Sequence, residues 1–143
     1  MDTIRVQRNE KRVTVNERGD YIIFRPGDPG FIDALMSLGE EFQNFVSENS
    51  SRLEEAKADT SDENRVTRVA VKLNLEMSQL AAEKINALFG PDACMKIFGT
   101  ETPSDALLTD FFEQATPLMQ QYAAEESARS QERIRKYTER YKK

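Results

Sequence analysis

A chain of 143 residues with 31% charged and 38% hydrophobic side chains has room for one packed domain beneath long solvated faces. Its formal net charge of −5 gives phosphate backbones no overall attraction, so general nucleic-acid binding is not expected. With no histidine and one cysteine, it is denied imidazole catalysis, Ser-His-Asp and Cys-His constellations, histidine- or thiolate-built zinc sites and an intramolecular disulfide.

Ile4 and Val6 alternate with polar neighbours, and Val13 and Val15 do the same. Asn16-Glu17-Arg18-Gly19-Asp20 reads as a turn, with Gly19 free to take a positive φ. Tyr21-Ile22-Ile23-Phe24 is β-branched and aromatic, so the two flanking runs predict a β-hairpin. Thr3–Gln7 can add a further strand. A lone hairpin is marginal in water, so this one must pack on helices or on another copy.

Pro26-Gly27-Asp28-Pro29-Gly30 breaks the chain and starts a helix, with Asp28 as cap and Pro29 at the first helical position. Phe31, Leu35, Leu38, Phe42, Phe45 and Val46 stripe that helix, which is expected from about 29 to 50. Thr60 and Glu63 have the spacing of a capping box. Val66, Val69, Leu73, Met77, Leu80 and Leu88 then stripe a helix from about 62 to 89. Gly90 suits the left-handed closing position, and Pro91 forbids continuation. A short helix at 92–98 ends at Gly99 in the same manner.

Thr102-Pro103-Ser104-Asp105 opens the last helix, with Thr102 as the expected cap and Pro103 in the first turn. Its apolar face runs from Leu107 through Phe111, Phe112, Ala115 and Leu118 to Tyr122, and Pro117 within it predicts a kink or an interruption. Beyond Tyr122 the seam thins to Ala123, Ser127, Ser130, Ile134, Tyr137 and Tyr141 at heptad spacing. Such a seam is weak alone and points to ordering on a partner. The expected fold is α+β and predominantly helical: an N-terminal β-hairpin, then an antiparallel bundle of three to four helices. Residues 1–122 form the hairpin-and-bundle domain, and 123–143 a basic helical extension.

Charge is unevenly spread. Glu48 to Glu63 holds six acids against two bases, while Ser130 to Lys143 holds six bases against two acids. These runs read first as solvated helix faces, with docking of the basic end on an acidic partner as the sharper alternative. The opening MDTIRVQRNEKR lacks an apolar leader, and the longest apolar run, Tyr21 to Phe24, is far too short for a membrane span. A reducing cytosol is the expected location.

A search for chemistry finds little. No phosphate-binding glycine loop is present. Asp59, Asp62 and Glu63 lack the glycine and the closing Glu of a calcium loop. Glu40-Glu41 and Glu125-Glu126 fall on expected solvent faces, where nothing separates their pKa values for acid–base work. Cys94, among Ala93 and Met95, reads as a buried structural thiol. The weak candidate for RNA contact is Arg5, Arg8, Lys11, Arg12, Arg18, Tyr21 and Phe24, diluted by Glu10, Glu17 and Asp20. The expectation is a protein with no catalytic activity, no cofactor and no metal.

Lys84 to Gly99 reads KINALFGPDACMKIFG, followed by a short loop, a capped helix rich in Leu and Phe, and an end rich in Lys, Arg and Tyr. This order resembles the tail assembly chaperones of siphophages and related prophages, especially those of Gram-positive hosts. They are similar in a helix ending LFG, a small-residue turn, a KIFG short helix and a following acidic helix with a D-x-L-x-x-F pattern, which this chain approaches with DALLTDF over 105–111. Many also open with a short hairpin ending in Phe. The resemblance covers most of the chain, and 84–112 is its distinctive part. It implies a chaperone that binds the tape-measure protein, keeps it soluble and helps recruit tail-tube subunits. It also implies residence in the host cytoplasm and absence from the mature virion. Self-association is a further option; nucleic acid and membrane are not expected partners. Many such proteins have a longer frameshifted form, with which the terminal Lys142-Lys143 is compatible. The alternatives are a small tail structural or adaptor protein of the virion, or a helical adaptor unrelated to phage.

Two surfaces emerge as candidate partner contacts. One is an apolar edge of Phe89, Ile97, Phe98, Phe111 and Phe112; the other is the seam of Tyr122, Ile134, Tyr137 and Tyr141. For the first five, plain core packing is the competing reading.

Overall fold

The computed structural model describes residues 2–58 and 63–141. A two-stranded antiparallel hairpin, β1 (Lys11–Thr14) and β2 (Tyr21–Phe24), precedes α1 (Pro29–Ala58), α2 (Glu63–Phe89), the short α3 (Ala93–Phe98) and α4 (Asp105–Tyr141). The fold is α+β and predominantly helical, as the periodicity predicts.

The hairpin pairs Lys11 with Phe24 and Val13 with Ile22 on its inner side, and Arg12 with Ile23 and Thr14 with Tyr21 on the other. Asn16 organises the turn. Its side-chain oxygen accepts from the Arg18 and Asp20 N–H groups (2.9 and 3.2 Å), and its Nδ2 donates to the Lys96 carbonyl at 3.0 Å. That last bond ties the hairpin tip to α3. Gly19 takes φ 88°, a value few other residues tolerate.

Asp28 caps α1 as expected, with Oδ1 accepting from the Gly30 and Phe31 N–H groups at 2.9 and 3.3 Å. α1 does not stop near residue 50; it continues to Ala58. The polar stretch has enough helix propensity to extend an already formed helix, and Leu53 stays half-buried within it. Thr60, the cap of the expected Thr60–Glu63 capping box, lies outside the described residues, as do Lys142-Lys143.

α2 closes where expected: the Gly90 N–H donates to the Asn86 carbonyl at 2.8 Å, with Gly90 at φ 125°. The Asn86 side chain also accepts from the Cys94 N–H at 2.8 Å, so α2 caps α3 from outside it. Gly99 ends α3 in the left-handed conformation.

Two expectations at α4 need correction. Ser104, rather than Thr102, is its cap: Ser104 Oγ accepts from the Leu107 N–H at 3.2 Å. Pro103 is buried ahead of the helix instead of opening it. Nor does Pro117 interrupt α4, which runs unbroken to Tyr141. The missing proline N–H frees only the Glu113 carbonyl, and both residues are exposed, where water can satisfy it.

α1 and α2 run antiparallel, with Phe31 against Phe89 and Glu41 ion-paired to Lys84. α4 runs antiparallel to α1, with Phe42 against Phe112. The core sits where these helices meet the hairpin, and Ile85, Leu108 and Phe24 are its most buried large apolar side chains. Thr3–Gln7 forms no strand: Ile4 is 92% and Val6 80% exposed. Asn9 Nδ2, just beyond this segment, donates to Glu126 on α4 at 2.7 Å.

Phe24→Ala should cost about 3–5 kcal/mol in chemical denaturation, because a ring 1% exposed leaves a cavity among several elements. Ser78→Ala should do the reverse. Ser78 is 3% exposed and its hydroxyl has no hydrogen-bond partner among the described residues, so removal should stabilise by about 1 kcal/mol and raise the thermal midpoint by a few degrees.

Candidate interaction surfaces

The structure separates the nine candidate contact residues into two groups. Phe89, Phe98, Phe111, Phe112 and Tyr122 are half-buried and join one aromatic network; Ile97 packs beside it. Phe24 contacts Phe31, Phe89 and Tyr122 at centroid distances of 6.0, 5.6 and 6.0 Å. Phe111 joins Phe89 (6.1 Å), Phe98 (5.7 Å) and Phe112 (5.4 Å), and Phe112 reaches Phe42. Seven of the eight phenylalanines therefore stack on one another, and these side chains hold elements together before they offer anything to a partner.

Ile134, Tyr137 and Tyr141 are the second group, at 62%, 65% and 70% exposure. They lie on an extension of α4 in which every residue from Ser127 to Tyr141 is exposed. At 1.5 Å per residue this arm projects roughly 22 Å from the last core contact. Its helical form is stabilised internally. Arg135 pairs with Glu132 (2.7 Å) and Glu139 (3.0 Å), and Tyr137 stacks on Tyr141 at 4.9 Å. The Arg135 hydrogen bond and nearby Lys136 hold the Glu132 carboxyl below its ordinary pKa. Because α4 is already nucleated in the core, the arm avoids the cost of starting a helix. Five bases and two acids make it strongly basic.

A groove of about 640 Å³ lies between the hairpin and α4. Val13, Val15, Ile97, Phe98, Phe111 and Leu118 supply apolar walls, while Asp110, Glu113 and Gln114 stand on its α4 side. Several of these residues lie on apolar stripes legible in the sequence, but their enclosing a groove is not. That requires the spacing of β1 from α4, which no local pattern carries.

The weak RNA platform does not assemble. Phe24 is buried and Arg12 already lies over Tyr21 at 4.8 Å, so the hairpin offers no free pair of aromatic faces for bases. Among the described residues no cluster of three or more acids or cysteines could hold a metal ion. No helix among them is long and apolar enough to cross a membrane. Cys94 is 1% exposed, and its Sγ lies 3.4 Å from the Thr100 carbonyl. Burial, then the nearby charge of Glu101, pushes its thiol pKa up.

Native protein should therefore alkylate at Cys94 far more slowly than urea-unfolded protein at pH 8, as read by mass spectrometry with iodoacetamide. Equal rates in the two states would mean that the thiol is open to solvent.

The chain matches no protein-family model, no curated protein and no solved structure.

Proposed function

We propose that this chain is a tail assembly chaperone of a long-tailed bacteriophage. It acts without catalysis in the host cytoplasm, holding the tape-measure protein soluble and helping to recruit tail-tube subunits, and is absent from the mature virion. The observation that carries the reading is the free end of α4, a preformed basic helix whose Ile134, Tyr137 and Tyr141 take no part in the core. The resemblance carried by Lys84 to Gly99 supplies the identity of the partner.

The physical fit is direct. A tape-measure protein is a long amphipathic helix whose apolar stripe needs cover until the tail assembles around it. A rigid arm with an apolar stripe at steps of three and four can lie along such a helix. Its excess of bases favours an acidic flank on that partner and disfavours side-by-side pairing of two identical arms. Exposure of the arm on all sides keeps it available. The half-buried aromatic network, by contrast, serves as the anchor from which the arm projects.

The test is co-expression with the tape-measure protein encoded in the same genome, scored by soluble yield and co-purification. Substituting Ile134, Tyr137 and Tyr141 together with Ser should lower the soluble tape-measure yield several-fold. The thermal midpoint of the chain itself should move little, because exposed positions contribute within about 0.5 kcal/mol. An unchanged yield, or recovery of the chain in purified particles, would move the assignment to a structural subunit of the tail.

A further inference from the structure

The hairpin has an unpaired edge that borders the groove. The Val15 N–H donates to the Asp20 carbonyl at 2.9 Å, so Val13 and Lys11, two and four residues earlier, also turn their backbone groups toward β2. Arg12 and Thr14 must then point their N–H and C=O groups away from β2. Thr14 lines the groove although its side chain lies on the outer face of the sheet, which puts the unpaired edge of β1 along the opening.

The chain also holds a segment with strand patterning and no strand. In Thr3–Gln7, Ile4 and Val6 share one face, and both are almost fully exposed. We propose that Thr3–Gln7 of a second copy pairs with the free edge of β1 and lays Ile4 and Val6 into the groove, so that two copies exchange arms reciprocally.

Three observations select this occupant. The period-two spacing of Ile4 and Val6 suits an edge strand that adds backbone bonds and buries alternate side chains. On the α4 side of the groove the charges are complementary: Asp110 and Glu113 stand there, while the segment 2–8 brings Arg5 and Arg8 against the single acid Asp2, and the two bases of β1, Lys11 and Arg12, are already engaged over the Tyr122 and Tyr21 rings. Access from the same chain is poor. Asn9 is bonded to Glu126 and Lys11 Nζ lies 5.8 Å from the Tyr122 ring, both past the Leu118 end of the groove. The segment would have to reverse within Arg8–Glu10 to enter its own groove. A second copy meets no such constraint, and reciprocal exchange closes a two-fold dimer instead of an open fibre. The proposal involves a surface separate from the basic arm of α4 and stands or falls independently of it.

Sedimentation velocity across the micromolar range tests the idea, with cross-linking to identify the contact. The full chain should show a concentration-dependent dimer. Ile4→Ser with Val6→Ser should weaken it at least about tenfold, and these exposed positions cannot unfold the core. Thr14→Pro should do the same by removing an outward N–H while sparing the ladder to β2. A tagged Ile4→Cys chain mixed with an untagged Gln114→Cys chain should give a disulfide between the two chains on mild oxidation. A monomer at high micromolar concentration would overturn the proposal, as would a dimer indifferent to both sets of substitutions. So would a cross-link that forms only within a single chain carrying both cysteines.

Discussion

The ring of Phe24 meets three helices at once. It extends from the last residue of β2 and packs on Phe31 at the start of α1, Phe89 at the end of α2 and Tyr122 in the middle of α4. A hairpin of two four-residue strands has too little surface to stand alone, so this contact is what makes the hairpin part of the domain. It also sets where α4 crosses the body. With Tyr122 fixed against Phe24 and Phe112 against Phe42, the helix has a defined exit, and residues 127–141 lie beyond the reach of the core.

That arrangement divides the apolar surface by use. The network from Phe24 through Phe89 and Phe111 to Phe42 binds elements that are distant in sequence, and it is largely shielded from solvent. The free end of α4 is open on all sides and carries Ile134, Tyr137 and Tyr141 on a basic rod. A short helix with so small a stripe would not hold its shape in isolation; continuity with the packed half of α4 gives it that shape. The cost of ordering this end of α4 has thus been met in the free protein by its continuity with the packed half of the helix.

The groove beside β1 arises from the same constraint. The inner residues of the hairpin reach α4 through Phe24 and Ile22, but among the described residues no strand pairs with β1 on its outer side. Exposed strand edges attract further strands unless they are covered or blunted. Here the edge carries Lys11 and Arg12, which discourage indiscriminate pairing, and it lies beside the acids of α4. The chain thus has two kinds of unsatisfied surface, one helical and basic, the other an acidic-sided strand edge.

Some of this organisation is local and could be read directly from residues. Asp28-Pro29 starts α1, Gly90-Pro91 stops α2 and Gly99 stops α3, because caps, ring constraints and positive φ act over a few neighbouring residues. The lack of histidine and the isolation of Cys94 likewise need no coordinates. Local patterns could not say which apolar side chains of α4 would be core, since those on both sides of Tyr122 recur at helical spacing even though the seam thins beyond it. Only packing decided that Phe111 and Phe112 join the core network while Ile134 and Tyr137 stay outside it. Tertiary context also made Ser104 the cap in place of Thr102, left Thr3–Gln7 without a partner and recruited Asn86 to cap α3. The physical reason is common to all of these: propensity and capping depend on adjacent residues, whereas burial and strand pairing depend on which distant surfaces the aromatic contacts bring together.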